Sequence, residues 1–162
     1  MKNYVCKPKR QDLVTKILCI LLIVGSAVSF YLPTLFPAIK AIGQLVSVVL
    51  LLVFVQITTK FLLTEYRYAL EEGNLYLSTR QGKREKNLGF LPLGEQTFLY
   101  NKETFQNAKP KHKISHKFSY CQNLFPKNPH YLMSPEEDGS FVLLVFEPDE
   151  TLLSLLKEII QK

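Results

Sequence analysis

FVLLVFEPDETLLSLLKEII, Phe141 to Ile160, changes its period halfway. Phe141–Phe146 is apolar without a break, as a strand covered on both faces would be. Glu147, Pro148, Asp149 and Glu150 interrupt it. Pro148 suits a helix start, and Asp149 and Glu150 suit the partial positive charge of a first turn. Leu152, Leu155, Leu156 and Ile159 then recur at helical spacing, with Leu153 and Ile160 widening the stripe. Ser154, Lys157, Glu158 and Gln161 fall on the opposite face. The charged break makes the run too short to cross a membrane. The stretch reads as the last strand of a soluble domain and the helix that covers it.

Upstream, short alternating runs are separated by turn residues. Tyr66, Tyr68 and Leu70 alternate before Glu71-Glu72-Gly73-Asn74, and Leu75 and Leu77 before Gln81-Gly82. Leu88 and Phe90, then Phe98 and Tyr100, follow. Ile114, His116, Phe118 and Tyr120 share one face if extended. Tyr131 and Met133 form a short run, and Asp138-Gly139 is a hairpin signal. This predicts about seven strands between residue 64 and the final helix.

The first third is different. Leu13–Leu32 and Ala41–Leu63 are long apolar segments, each close to the ~20 residues a helix needs to cross ~30 Å of hydrocarbon. The predicted organisation is a basic cytoplasmic N-terminus at 1–12, spans at 13–32 and 41–63, an external loop at 33–40 with Pro33 and Pro37, and a cytoplasmic domain at 64–162. A competing reading takes the basic start and Ala27-Val28-Ser29 as a cleavable signal, which would leave one span.

Charge supports the two-span reading. The net charge is +6, and all of it falls in residues 1–63. Residues 64–162 hold 13 basic and 13 acidic groups. Four basic residues precede the first span, one (Lys40) lies between the spans, and Lys60 and Arg67 flank the end of the second. The positive-inside bias then places both termini on the cytoplasmic side of the inner membrane. With the excess assigned to topology, nucleic acid is not an expected partner. Gly25/Ser29 and Gly43/Ser47 are small pairs at four-residue spacing; they suit packing inside the hairpin or a homodimer seam. Cys6, Cys19 and Cys121 form no disulfide framework and read as reduced thiols.

The Glu71–Asn74 hairpin, the Asp138-Gly139 hairpin and Phe141–Ile160 together resemble a pleckstrin-homology-like (PH-like) domain. The chain is similar to short bacterial membrane proteins with two transmembrane helices and a C-terminal PH-like (YcxB-like) domain. The resemblance implies an α+β fold: a transmembrane hairpin, then an open β-barrel of about seven antiparallel strands closed by a C-terminal helix. It also implies a binding or assembly platform. Phosphoinositide-binding relatives carry basic residues in the first hairpin loop, where this chain has Glu71-Glu72, so no lipid-binding residue carries over.

Two basic clusters remain as contact candidates for anionic lipid or a protein partner: Arg80, Lys83, Arg84 and Lys86, and Lys109, Lys111, Lys113 and Lys117. The alternative for both is a solvated face. His112, His116, Cys121 and His130 lack ligand spacing, because His112 and His116 lie about 13 Å apart in a strand. No metal, cofactor or catalytic residue is predicted, and no nucleophile elbow, Walker loop or zinc-protease motif occurs. The expected function is a membrane-anchored interaction or assembly module. The alternative is a small subunit or regulator of a membrane transport or envelope-synthesis complex, acting through its transmembrane helices.

Overall fold

The structure is a computed structural model that describes residues 4–10, 12–31, 40–94, 96–108, 113–136 and 138–160. In chain order its elements are β1 (Tyr4–Cys6), α1 (Asp12–Tyr31), α2 (Lys40–Ile57), β2 (Thr64–Glu71), β3 (Asn74–Gln81), β4 (Arg84–Pro92), β5 (Phe98–Asn101), α3 (Lys102–Ala108), β6 (Ile114–Ser119), β7 (His130–Pro135), β8 (Phe141–Phe146) and α4 (Glu150–Ile160). Thr58–Leu63 continues α2 with the wider winding of a π-helix. The chain forms two compact units. One holds α1 and α2; the other joins β1 to the strands from β2 onward, with α3 and α4.

In the helical unit, Leu13–Tyr31 and Lys40–Leu63 are each long and apolar enough to cross a membrane. Gly25, Ser26 and Ser47 lie between the helices. Ser26 and Ser47 are buried, with their hydroxyls 2.9 Å apart and Ser26 Oγ donating to Ser47 O at 3.2 Å. A Cβ on Gly25 would meet Leu50 Cδ1 at 3.6 Å. Cys19 Sγ lies 3.6 Å from Thr58 Oγ1. The large aliphatic residues, Leu21, Val28, Leu45 and Leu52 among them, point outward and are exposed.

The β unit departs from the sequence expectation in three ways. Among the described residues there are eight strands, because Tyr4–Cys6 adds one that three residues of basic-flanked sequence do not announce. They form two four-stranded sheets, β1-β2-β3-β4 and β5-β7-β8-β6, in place of the expected barrel. They are not all antiparallel, since β6 runs parallel to β8. The long connection after β6 lets β7 and β8 return as a hairpin, which leaves β6 at the sheet edge. β1 lies antiparallel to β2, with Tyr4 opposite Leu70 and Cys6 opposite Tyr68. The helical hairpin is therefore inserted between two paired strands.

Turn chemistry fixes the hairpins. Glu72 and Gly73 both have positive φ (49° and 80°) in the two-residue β2–β3 turn, as a type I′ turn requires. In the β7–β8 turn, Asp138 Oδ1 accepts from Ser140 N at 2.9 Å and Ser140 Oγ at 2.6 Å, and these bonds hold its carboxyl below its usual pKa.

Every residue of β8 is buried, as its unbroken apolar run predicts. Leu144 and Phe146 enter one core with Cys6, Tyr68, Leu75, Leu132, Leu152 and Leu156. Phe141, Leu143 and Val145 enter a second with Cys121 and Met133, where Phe98, Tyr100, Phe105 and Tyr131 pack around them. α4 covers the first core and α3, through Phe105, the second. Phe105 stacks on Tyr131 with ring centroids 4.3 Å apart. α3 was not expected. Its start is a reciprocal cap: Thr104 N donates to Asn101 Oδ1 at 2.7 Å and Asn101 N to Thr104 Oγ1 at 3.0 Å. α4 is capped by Asp149, whose Oδ1 accepts from Leu152 N at 2.8 Å.

Candidate functional site

The two predicted basic clusters fall on different sheets. Arg80, Lys83, Arg84 and Lys86 converge at the end of the β3–β4 hairpin. Gly82, with φ 58°, opens its two-residue turn. Lys83, Arg84 and Lys86 are exposed. Arg80 is half-buried, and its Nε donates to Gly82 O at 2.9 Å. It stands opposite Glu85, which also lies 3.5 Å from Arg67 Nη1. Glu85 thus meets Arg67, while Arg84 and Lys86 alternate to the other face of β4. Lys113 precedes β6 and Lys117 lies within it, both exposed. Lys109, Lys111 and His112 lie outside the described residues. At the β2–β3 turn, Glu71 and Glu72 are exposed and acidic.

His116 corrects an expectation. Alternation places it on the apolar face, but it is exposed, as are Ile114 and Phe118. A register irregularity between Ile114 and His116 turns Ser115 inward instead, where its hydroxyl bonds the Glu136 carboxylate and Phe141 O. An edge strand has neighbours on one side only, so its aromatic side chains stack along their own strand. Centroids run 6.1 Å from His116 to Phe118 and 5.9 Å from Phe118 to Tyr120, and Tyr120 in turn lies 5.9 Å from Tyr66 of β2.

A polar knot holds the two chain segments that flank the helical hairpin. Gln122 and Asn123 are buried. Gln122 Oε1 accepts from Tyr66 N at 3.0 Å. Asn123 Nδ2 donates to Lys9 O and to Glu147 Oε1, and Asn123 N to Glu147 Oε2, each at 3.0 Å. Tyr68 Oη donates to Tyr120 O at the base of the same loop. Beside the knot opens a cleft of about 250 Å³ lined by Lys7, Pro8, Arg10, Glu65, Tyr66 and Gln122. Two cations and one carboxylate line it. Sequence reasoning read Lys7 and Arg10 only as topological charges and passed over Gln122 and Asn123, which belong to no motif.

A larger cleft, about 460 Å³, lies beside the start of α4 and includes Lys102, Glu103, Lys127, His130, Asp149 and Glu150. Its charges are mixed. His130 is half-buried, with Nδ1 3.2 Å from Asn128 O. Burial lowers its pKa, which leaves the ring neutral near pH 7. Among the described residues, no three His, Cys, Asp or Glu side chains come together as a metal site. All three cysteines are buried, and desolvation pushes the Cys6 thiol up to about 12, which suits a core residue and not a nucleophile.

A family model described as "Bacterial PH-like domain (DUF6106)" matches residues 5–162, a span that takes in the helical hairpin as well as the sheets. No curated protein and no solved structure matches the chain.

Proposed function

The chain belongs to this bacterial PH-like domain family, and from that premise we propose that it is a membrane-anchored interaction module without catalytic activity. α1 and α2 insert as a hairpin in the inner membrane, and the β unit stands on the cytoplasmic side. One observation carries the reading: the apolar hairpin is inserted between β1 and β2, which pair with each other in one sheet. The segments before α1 and after α2 must therefore share one side of any bilayer the hairpin enters. The exposed aliphatic surface of both helices supports insertion, because apolar area of that extent is costly in water. The charge bias of the flanks supports the cytoplasmic side.

The module's contact surface is the exposed Lys83, Arg84 and Lys86 end of the β3–β4 hairpin. Its partner is a protein or an anionic lipid surface. Single cysteines test the topology, since the three native thiols are buried. In intact cells an impermeant maleimide should label Phe36→Cys and leave Lys83→Cys untouched until the membrane is opened; the reverse pattern refutes the orientation. Charge reversal of Lys83, Arg84 and Lys86 should then reduce recovery of a cross-linked partner or binding to anionic vesicles. Undiminished recovery and binding would remove the hairpin from the contact.

A further inference from the structure

The cleft beside the polar knot has a position that the other cleft lacks. Arg10 precedes the first residue of α1 by two positions, and Glu65 follows Leu63, the last helical residue of the hairpin, by two. Two residues span at most ~7 Å even when extended. With the helix ends at the bilayer surface, Arg10 and Glu65 stay within reach of the headgroups. We propose that it binds the phosphate of an anionic phospholipid headgroup, with Lys7 and Arg10 as the cationic contacts. The inference rests on the membrane-anchored reading.

Three features fit that ligand. The charged residues of the lining are Lys7, Arg10 and Glu65, a net single positive charge opposite a phosphodiester's single negative one. An Arg fork and a Lys ammonium are the side chains that pair with phosphate oxygens. At about 250 Å³ the cavity lies below the size of pockets that enclose drug-sized ligands and suits a small polar group. Its walls are also held in place: the buried Gln122 fixes the Tyr66 backbone, and Asn123 fixes Lys9 between the two cations. Such fixing lowers the ordering cost of binding. Glu65 opposes the anion and sets a limit on affinity that can be tested separately.

The test uses the full chain in nanodiscs of equimolar phosphatidylcholine and phosphatidylglycerol, and reads the lipids retained on the protein by native mass spectrometry. The wild type should retain phosphatidylglycerol over phosphatidylcholine. Lys7→Gln with Arg10→Gln should lower that preference by about thirtyfold, from the loss of two surface cations. Lys102→Gln with Lys157→Gln, two exposed cations that line neither this cleft nor the β3–β4 hairpin end, should leave it unchanged. Glu65→Gln should raise it, which keeps the proposal open to refutation if the double variant folds poorly. Excess inorganic phosphate should not displace the lipid; displacement would mark a free-anion site and overturn the lipid assignment. Wild-type protein that sits in the bilayer with no lipid preference overturns the cleft proposal alone. A chain that never enters the nanodiscs overturns the membrane reading beneath it.

Discussion

Phe141–Phe146 and Lys40–Ile57 are both nearly uninterrupted apolar stretches. All six residues of the first are buried, and the buried residue of the second is Ser47. The difference lies in what the rest of the chain supplies. β8 is flanked by β7 and β6, covered by α4 on one face and met by Phe105 on the other. α2 packs on α1 through Ser47 and Leu50 and turns its other valines and leucines outward. One stretch completes a core within the protein. The other leaves its apolar surface for different surroundings. Apolar content alone therefore does not place a segment; length, period and the nature of the inward-facing residues do.

The largest effect expected from breaking this contrast comes from cutting between the two units. A chain beginning at Thr64 keeps β8 and α4 but loses β1. Tyr4 and Cys6 leave the first core, the β2 edge is uncovered, and the bond from Tyr4 Oη to Asp149 is lost. This fragment should show no cooperative thermal transition, whereas the full chain in detergent should show one. A fragment as stable as the parent would make β1 dispensable. The same contact bears on signal cleavage after Ser29, which would strip β1 from its sheet; the mass of the purified protein should include the N-terminal segment.

Next come single side chains from the two stretches. Phe146 is fully buried and meets Tyr68 edge-on at 5.4 Å between centroids. Phe146→Ala should cost ~3–5 kcal/mol in urea unfolding of the β unit, through lost transfer energy and a cavity. Leu52→Ala, on the outward face of α2, should change that unfolding by no more than ~0.5 kcal/mol. Equal costs would erase the distinction between the two regions.

These contrasts also separate what was legible in the sequence from what was not. The period change after Phe146, the Glu71–Asn74 and Asp138-Gly139 turns and the two long apolar segments are local signals, and each gives the observed element. β1 escaped because a three-residue strand has no period and because its basic neighbours carry a stronger topological signal. α3 escaped because its Asn101–Thr104 cap is polar on both sides and shares no apolar stripe beyond Phe105. His116 misled because alternation says which residues share a face, not whether anything covers it, and an edge strand leaves its face open. The cleft at the hairpin root was illegible for a further reason: it joins residues 7–10 to 65, 66 and 122, which only the pairing of β1 with β2 and the Gln122 and Asn123 bonds bring together.

The polar knot at that junction gives the next prediction. Asn123→Ala removes the bond to Lys9 O and leaves Glu147 Oε1 without the Asn123 amide. The loss of buried hydrogen bonds to a charged group should cost ~1–3 kcal/mol. Hydrogen exchange should show the loss concentrated in residues 4–10, because β8 keeps its ladder on both sides. Uniform loss of protection would mean that the knot supports the whole core and not the hairpin root in particular.

The smallest effect is a change in slope with pH, and it isolates β1 without disturbing its backbone. Cys6 has no exposed surface, and desolvation raises its thiol from an ordinary 9.0 to about 12 in the folded chain. In the unfolded chain the thiol ionises first, so between those values the unfolded state binds fewer protons than the native state. Stability conferred by the neutral thiol is then fully present below pH 9 and is lost as pH rises towards about 12. Cys6→Ala should lower stability at neutral pH through its small cavity yet show a shallower decline across the alkaline range, measured by urea titration at stepped pH. Tyr68, whose pKa burial also raises, contributes a decline of the same sign in both proteins, so the difference between them belongs to Cys6. Identical alkaline slopes would mean that the thiol is hydrated in solution and that β1 is not seated against the core. Rapid alkylation of Cys6 at neutral pH in the folded chain would say the same by an independent route.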